Sequence, residues 1–310
     1  MCSAASAHVE CRQCGAAMQL PVTARTAVCP YCAAPSVVER PRASGFVDPT
    51  FAMGFVFEGQ RARALVRDWA LTQGFFREPG VRRARVDELR GVYLPAYLYS
   101  AVARSRFSAL IGEDYTETET YTATNAQGKT ETRTRTVTRT EHRPLRGEHA
   151  AYVADVLVTA SRALGNAELG AVEPFDLRAI RRYDPSLVVG WIAEDPSMTS
   201  AECIELARRE AVEKVGASLH DFMPGDSHRE LVHQTWLEQE SLDLVLVPVW
   251  VLALRYRDDR GPLRVLVNGQ TGRVAGAVPW SRRRIAVAAV LAVLAVVAAV
   301  LAATYLEPAW

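Results

Sequence analysis

The stretch that decides the architecture is Ile285–Leu306, which reads IAVAAVLAVLAVVAAVLAATYL and has 22 residues without a charged side chain. Coiled as a helix, it would be about as long as the ~30 Å hydrocarbon core of a bilayer is thick. A helix packed in a soluble core carries polar residues on some face, and this stretch has none. We therefore expect one transmembrane anchor within residues 281–310, with residues 285–306 in the bilayer.

The charges beside this stretch predict its orientation. Arg282, Arg283 and Arg284 stand directly before it, and the positive-inside rule keeps such residues in the cytoplasm. The first residues of the chain lack the apolar core of a signal peptide. We expect a tail-anchored, single-pass protein of the cytoplasmic (inner) membrane, with its N-terminus and body in the cytoplasm.

Composition bounds what the remaining 280 or so residues can be. The chain has 36 basic and 35 acidic residues and a formal net charge of +1, so no bulk attraction to nucleic acid or anionic lipid is implied. Six cysteines in 310 residues are too few for a disulfide scaffold, and the cytoplasm is reducing. Any function must therefore come from particular sites.

Two C-x2-C knuckles indicate a metal site near the N-terminus. Cys11 and Cys14 form the first, Cys29 and Cys32 the second, and 14 residues separate them. Each knuckle can present two thiolates to one tetrahedral zinc ion. We expect a zinc ribbon over residues 1–40, in which the zinc is structural; a redox dithiol pair is the alternative.

An α+β body over residues 51–280 is expected to follow a linker at 41–50. Its elements repeat in one order: a short strand, a helix, and a long strand that contains proline followed two residues later by an aromatic ring. The landmarks are Pro95 with Tyr97 and Pro248 with Trp250. An internal duplication with halves 51–145 and 146–280 is one interpretation; chance similarity of two α+β segments is the other.

Between these halves lies a threonine-rich segment at residues 115–140. Threonine recurs at every second position, which is the period of a strand, and residues 125–129 have the composition of a turn. Folding about residue 127 sets Glu119 opposite Arg135 and so favours a long β-hairpin. The hairpin is either a solvent-exposed arm or a partner-binding edge, and a disordered loop is the alternative.

The sequence shows no catalytic constellation, because it lacks a phosphate-binding loop, a GxSxG elbow and an HExxH motif. We therefore expect no enzyme and assign no catalytic or cofactor-binding residue. His228 and His233 with Asp221 and Asp226 could form a second metal site, but histidines in a polar loop are more often solvated. Cys203 is expected to be a buried small hydrophobe in a helix.

Several segments together resemble a known family. They are CRQCG at 11–15, CPYC at 29–32, YLPAY at 93–97, LVPVW at 246–250, VNGQTGRVAGAVP at 267–279, and the terminal span. The chain resembles bacterial membrane-anchored zinc-ribbon proteins that are often labelled primosomal-helicase-like or TFIIB-type zinc-ribbon proteins. Only the four cysteines carry over residue by residue, and the absence of an ATPase motif is at odds with the helicase label.

The resemblance implies an adaptor or scaffold, since some members are associated with PspA-like phage-shock and SPFH proteins. We therefore expect a non-enzymatic membrane adaptor that recruits a protein partner of this envelope-stress or SPFH type. The alternatives are a small-ligand sensor or enzyme with a pocket between the body halves, and a nucleic-acid-binding ribbon, which the few basic residues near the knuckles disfavour. Alanines along the span would permit pairing into a homo-oligomer.

Overall fold

The computed structural model describes residues 6–11, 13–21, 29, 31–32, 37–40, 48–124, 130–188 and 191–306. Over these residues the fold is α+β, as the sequence predicts, with a large mixed sheet and a C-terminal apolar helix. The helices are α1 (Gly59–Leu71), α2 (Asn166–Val172), α3 (Ser200–Phe222) and α4 (Arg282–Leu306). Short 3-10 turns lie at Pro79–Arg83, Leu177–Ala179 and Pro185–Val188.

The strands differ greatly in length. They are β1 (Ser6–Cys11), β2 (Ala17–Pro21), β3 (Val37–Arg40), β4 (Phe51–Ala52), β5 (Arg85–Thr124), β6 (Thr130–Thr159), β7 (Arg181–Arg182), β8 (Ile192–Glu194), β9 (Ser227–Arg255), β10 (Leu263–Asn268) and β11 (Val274–Gly276). They pair in the order β11-β10-β9-β5-β8-β2-β1-β3, with β6 on β5, and β4 on both β7 and β9.

The chain divides into two compact units. Unit 1 comprises Met1–Tyr97, Val158–Thr199 and Asp243–Trp310, and unit 2 comprises Leu98–Leu157 and Ser200–Leu242. The domain boundaries drawn from the sequence, including the halves 51–145 and 146–280, stay predictions, because each unit combines segments from different parts of the chain.

Two short strands of unit 1 make matching parallel pairs. In β4, Phe51 and Ala52 lie beside Val245 and Leu246 of β9, while in β8, Ile192 and Ala193 lie beside Val92 and Tyr93 of β5. The paired residues stand three and two places before Pro248 in one case and before Pro95 in the other. This shared register supports the interpretation that the body contains an internal duplication.

The core of unit 1 places α1 against β9 and β10. Because Ala62, Val66 and Ala70 recur at helical spacing, they form one buried face of α1. That face packs on Trp250 of β9 and on further buried residues: Val81, Leu252, Leu254, Val265, Val267 and Val278. The helical spacing predicts a helix from about Glu58 to Gln73 with Gly74 as its stop; α1 begins after Glu58 and ends at Leu71.

In unit 2, α3 is a longer helix with a narrow buried stripe. The stripe consists of five residues spaced four apart: Cys203, Ala207, Ala211, Val215 and Leu219. The sequence predicts Ile204 in this stripe, but Ile204 is only half-buried and the Cys203 side chain is fully covered. Gly216 lies against the His233 ring, where an added Cβ would approach Nε2 to 2.8 Å.

The threonine-rich segment forms two long strand ends in unit 2, and the predicted pair is confirmed. Arg135 Nη2 donates to Glu119 Oε2 over 2.8 Å. The same symmetry about residue 127 brings Thr140 Oγ1 to Asp114 Oδ1 at 2.6 Å and Arg106 Nε to Glu148 Oε1 at 2.9 Å. The predicted turn at 125–129 lies outside the described residues.

Some local expectations are wrong. The apolar residues at 187–192 predict a strand there. The strand of this region is instead Ile192–Glu194, and Pro185–Val188 forms a 3-10 turn. The segment around His228 and His233 is not a loop, since both residues lie on β9. Alternation of exposed and half-buried residues along this polar strand accounts for the error, because it offers no apolar run to recognise.

The dipeptide Asn268-Gly269 predicts a tight hairpin, and β10 and β11 do form one, although its turn is longer than two residues. Asn268 N donates to Arg273 O over 2.9 Å, so four residues lie between the paired positions. The Asn268 side chain accepts from the backbone of Gln270 and Thr271 at 2.8 and 3.0 Å, and it donates to Val172 O and Pro174 O. A fully buried asparagine thus organises the turn with every polar atom of its amide engaged.

Candidate metal centre

The four predicted cysteines come together in unit 1. One ligand atom from each of Cys11, Cys14, Cys29 and Cys32 lies within 4.8 Å of all the others. The Sγ atoms of Cys11 and Cys32 are 3.5 Å apart, and so are those of Cys14 and Cys29. Cys11 and Cys29 are buried, and Cys14 and Cys32 are half-buried. The knuckles therefore form one cluster at metal-binding distance.

This geometry fits a tetrahedral ion with four thiolate ligands. Zinc–sulfur bonds of about 2.3 Å place the sulfurs of a ZnS₄ tetrahedron about 3.8 Å apart, close to the observed separations. Such a set fills every coordination position, which is typical of structural rather than catalytic zinc. When bound, zinc would tie the two knuckles together and supply folding energy to a segment too short for its own core.

Without a cation, the thiols of this cluster differ strongly in their tendency to lose a proton. A hydrogen bond from Cys29 lowers the pKa of Cys14 to about 5, whereas that bond and burial raise the pKa of Cys29 far above its usual range. One thiolate is thus stabilised at the expense of its neighbour. A divalent cation removes this conflict, because it allows all four sulfurs to be deprotonated together.

The backbone of the first knuckle explains how two cysteines face one point. Cys11 N donates to Ala16 O and Gly15 N donates to Cys11 O, both over 2.8 Å. Gly15 closes this turn with φ of +73°, a conformation that residues with a Cβ rarely adopt. The short apolar runs Met18–Leu20 and Ala27–Val28 predict the two strands of a zinc ribbon. The first strand is confirmed within β2, and residues 27–28 lie outside the described residues.

The cysteine-bearing segment is part of the sheet of unit 1. β2 pairs antiparallel with β1 on one side and with β8 on the other, where Met18 lies opposite Glu194 and Gln19 opposite Ala193. Asp195 N also donates to Ala17 O over 3.2 Å. The metal centre is therefore joined to the α+β body through main-chain hydrogen bonds.

A buried polar chain strengthens this junction. The Tyr31 hydroxyl, from within the second knuckle, donates to Glu194 Oε2, and Ser161 Oγ donates to Glu194 Oε1. Only 4% of Tyr31 and 2% of Glu194 are exposed. Ser161 Oγ in turn accepts from the backbone N–H of Ala163 at 3.0 Å. Each carboxyl oxygen of Glu194 is therefore engaged in a hydrogen bond.

Burial decides the charge state of Glu194 and Tyr31. Loss of solvent raises the pKa of Glu194 to about 8, although the hydrogen bonds from Ser161 and Tyr31 act in the opposite direction. Burial, and next the charge of Glu194, raises the pKa of Tyr31 well above its usual value. Near neutral pH the tyrosine and most of the glutamic acid are thus uncharged, as expected for groups removed from water.

Sequence reasoning missed Glu194 and Ser161 and gave Tyr31 no role. Glu194 follows Trp191, Ile192 and Ala193 and precedes Asp195, so its sequence context resembles the end of an edge strand. The only signal was the position of an aromatic residue inside a metal knuckle. Its partner is distant in the sequence and could be found only from the fold.

The other candidate residues do not form a second metal centre. His228 Nε2 lies 2.7 Å from His220 Nδ1, His233 Nδ1 lies 3.1 Å from Thr235 Oγ1, and Asp226 accepts from Asp114 N. In the part of the chain that the structure describes, only the four cysteines bring three or more possible metal-ligand atoms close enough together to share one ion. Cys203 is buried in α3, as expected.

The C-terminal helix is the second candidate functional element. Arg282–Leu301 of α4 is long and apolar enough to cross a membrane, and its most apolar stretch is not buried within the described part of the protein. Its valines and leucines, from Val287 to Leu301, are exposed. Such a continuous apolar surface is not expected to remain in water.

Comparisons with known proteins give one curated relative. The chain is 23% identical over 251 residues to the uncharacterized protein YdjG of Bacillus subtilis (strain 168), a match that covers 79% of this chain and 68% of that protein. No family model matches, and no solved structure matches. The assignment of a metal site and an apolar helix therefore rests on the geometry of this chain.

Proposed function

We propose that this chain is a single-pass protein of the cytoplasmic membrane whose zinc-stabilised α+β body recruits a protein partner to the bilayer. The observation that carries the proposal is α4, an apolar helix whose long hydrophobic stretch is not buried by any other described part of the protein. Its first 20 residues span about 30 Å, which is the thickness of a hydrocarbon core. Arg282–Arg284 at its start favour a cytoplasmic body by the positive-inside rule.

The chemistry of the metal centre supports an adaptor more than an enzyme. Four cysteines leave zinc no open position for a water or a substrate. The place where the matched strands of the two halves meet is filled by four buried apolar residues, namely Ala52, Tyr93, Ala193 and Leu246. Neither feature provides a polar cavity in which a small ligand could react.

The surface best suited to a partner is the threonine arm, which we define as residues 115–124 and 130–140. Most of its described side chains are exposed, while Glu119, Ala123 and Val137 are half-buried. An acidic strand that contains Glu117 and Glu119 lies against a basic one that contains Arg135 and Arg139. Strand β9 begins at Ser227, and Asp226 N bonds to Gly112 O, so β9 starts beside the base of the arm. Backbone beyond that point is available for strand addition by a partner.

The partner we propose is a soluble or membrane-associated protein, with PspA-like and SPFH-type proteins as the first candidates from the family resemblance. The cysteine-bearing segment is less suited to docking. Its β2 strand is already paired on both edges, and the ring of Tyr31 is buried. Its role in this proposal is to complete the fold.

The test is affinity purification of the full chain from crosslinked native membranes. An arm-shortened variant, with residues 117–137 replaced by Asn-Gly, should lose the partner, whereas a C29S/C32S variant that stays folded should retain it. The fourfold exchange E117R/E119R/R135E/R139E keeps the arm and opposite charges on its two strands but reverses which strand is acidic, so it separates an effect of the strand edge from an effect of charge. A control protein that carries only α4 sets the background.

Three outcomes would contradict this proposal. Recovery of the same partner by the arm-shortened variant, together with loss in C29S/C32S, would place docking on the cysteine-bearing segment instead. Recovery of no protein above the α4 control would remove the adaptor role. Release of the chain from membranes by alkaline carbonate would contradict the anchor itself.

A further inference from the structure

A cavity in unit 1 opens where α4 begins. It has a volume of about 1040 Å³, and five arginines line it: Arg257, Arg260, Arg282, Arg283 and Arg284. Glu78 is the acidic residue of its wall, and Phe75, Trp280 and Val287 supply apolar surface. We call it the juxtamembrane cavity. Its lining combines concentrated positive charge with apolar side chains at the first turn of a bilayer-length helix.

Most of this positive charge is uncompensated. Arg257 is held by Asp259 through two hydrogen bonds of 2.8 and 2.7 Å. Among the salt bridges of the described residues, none involves Arg260, Arg282 or Arg283. Since like charges held together repel one another, such a cluster favours an anion that binds several of them at once.

The wall of the cavity is fastened to the start of α4 by several contacts. The backbone N–H of Ser281 donates to Phe76 O over 2.8 Å, and that of Glu78 donates to Pro279 O over 3.0 Å. Arg284 Nη1 donates to Phe75 O over 2.8 Å, and its guanidinium lies 4.8 Å from the centre of the Phe75 ring. The loop that follows α1 is thereby held against the first turn of α4.

These contacts keep large aromatic side chains exposed. Phe75 is 62% exposed and Trp280 is 59% exposed, and neighbouring Phe76 is exposed as well. The Arg77 guanidinium stacks 3.9 Å above the Trp280 ring, which orients the indole without covering it from solvent. Exposed aromatic rings beside arginines are typical of the zone where a membrane protein meets lipid headgroups.

We propose that the juxtamembrane cavity binds the phosphate headgroup of anionic phospholipids. This rests on the proposed membrane anchoring, because α4 then places the cavity at the level of the headgroups. Guanidinium groups bind phosphate oxygens in a bidentate manner, and Arg260, Arg282 and Arg283 have this capacity to spare. Phe75, Phe76 and Val287 would be covered by acyl chains, which a free phosphate ion does not provide.

The test measures lipid selectivity with the full chain in proteoliposomes. Electron paramagnetic resonance gives the association of spin-labelled phosphatidylglycerol relative to spin-labelled phosphatidylcholine at the protein surface. We expect a preference of about threefold or more for the anionic lipid. The R260Q/R282Q/R283Q variant should lower the ratio to about one, since it removes three lining cations that form no salt bridge among the described residues.

A matched control removes the same charge elsewhere. Arg61, Arg67 and Arg181 are exposed and lie outside the cavity lining, so R61Q/R67Q/R181Q should keep the wild-type preference. Equal loss in this control would show that net charge alone is responsible and would overturn the site. Sodium phosphate that abolishes the preference, where sodium chloride of equal ionic strength does not, would assign the cavity to free phosphate and also overturn it.

Flotation with liposomes separates this inference from the function on which it rests. If the wild-type chain does not float with phosphatidylcholine vesicles after a carbonate wash, membrane anchoring fails. If it floats but shows equal association with both lipids, anchoring stands and the headgroup site fails.

Discussion

The hydroxyl of Tyr31 offers a direct test of how the metal centre is joined to the body. Tyr31→Phe removes one donor to Glu194 and leaves the ring in place. Both residues are almost fully buried, so water cannot easily replace the lost donor. An unsatisfied buried acceptor costs about 1–3 kcal/mol. We expect the free energy of unfolding to fall by this amount.

Urea unfolding of the full chain in nonionic detergent, followed by tryptophan emission, measures the change. Tyr152→Phe is the matched control, because that ring is 70% exposed and its hydroxyl is free to bind water. Transfer of zinc to a chelator gives a second readout, which should be faster in Tyr31→Phe, since Tyr31 lies between two ligands. If both variants unfold at the same urea concentration and release zinc equally fast, Tyr31 does not secure the junction.

Three further predictions concern the same fold. Folded Glu194 keeps its proton up to about pH 8, whereas unfolded glutamic acid loses it near pH 4.3; the unfolding free energy should therefore fall as pH rises from 6 to 8, and E194Q should flatten that titration. Gly225→Ala should destabilise by about 2 kcal/mol, because φ is +83° and the new Cβ would lie 2.6 Å from Ile111 Cγ2; thermal unfolding should show no comparable loss for Gly54→Ala, which meets nothing within 4 Å. Elemental analysis should find one zinc per chain and a large loss in Cys14→Ser.

Local chemistry explains which features could be read from the sequence. The paired knuckles, the helical spacing of Ala62 and Val66, and the Glu119–Arg135 pair are all set by residues close along the chain or symmetric about a turn. The uncharged run in α4 is equally local. Each could be predicted because its physical cause lies within one segment.

Partners far apart in the sequence could not be found in this way. Glu194 and Tyr31 are 163 positions apart, and only the pairing of β2 with β8 brings them together. The extent of β9 was missed for a related reason. Its first half is polar, and a polar strand can be recognised only when the strands beside it are known.

The matched strands show why Glu194 is buried at all. Ala52 and Ala193 are equivalent in register, so the residues after them, Met53 and Glu194, occupy corresponding places, and both are buried. On the edge opposite the parallel pair, β4 is joined by β7 and β8 is joined by β2 of the cysteine-bearing segment.

The two matched strands therefore hold an apolar residue, Met53, at this place in one case and an acid, Glu194, in the other. The two places differ in what lies beside them, because β8 pairs with β2 of the cysteine-bearing segment, whose Tyr31 hydroxyl bonds to Glu194. A buried acid contributes less to stability than a methionine would, because its desolvation offsets its hydrogen bonds. An alternative pairing of β8 in which Glu194 stayed buried without a hydrogen-bond partner would, however, be destabilised. Because Tyr31 lies between Cys29 and Cys32, its hydrogen bond to Glu194 ties the pairing of β2 with β8 to the position of the cysteine cluster.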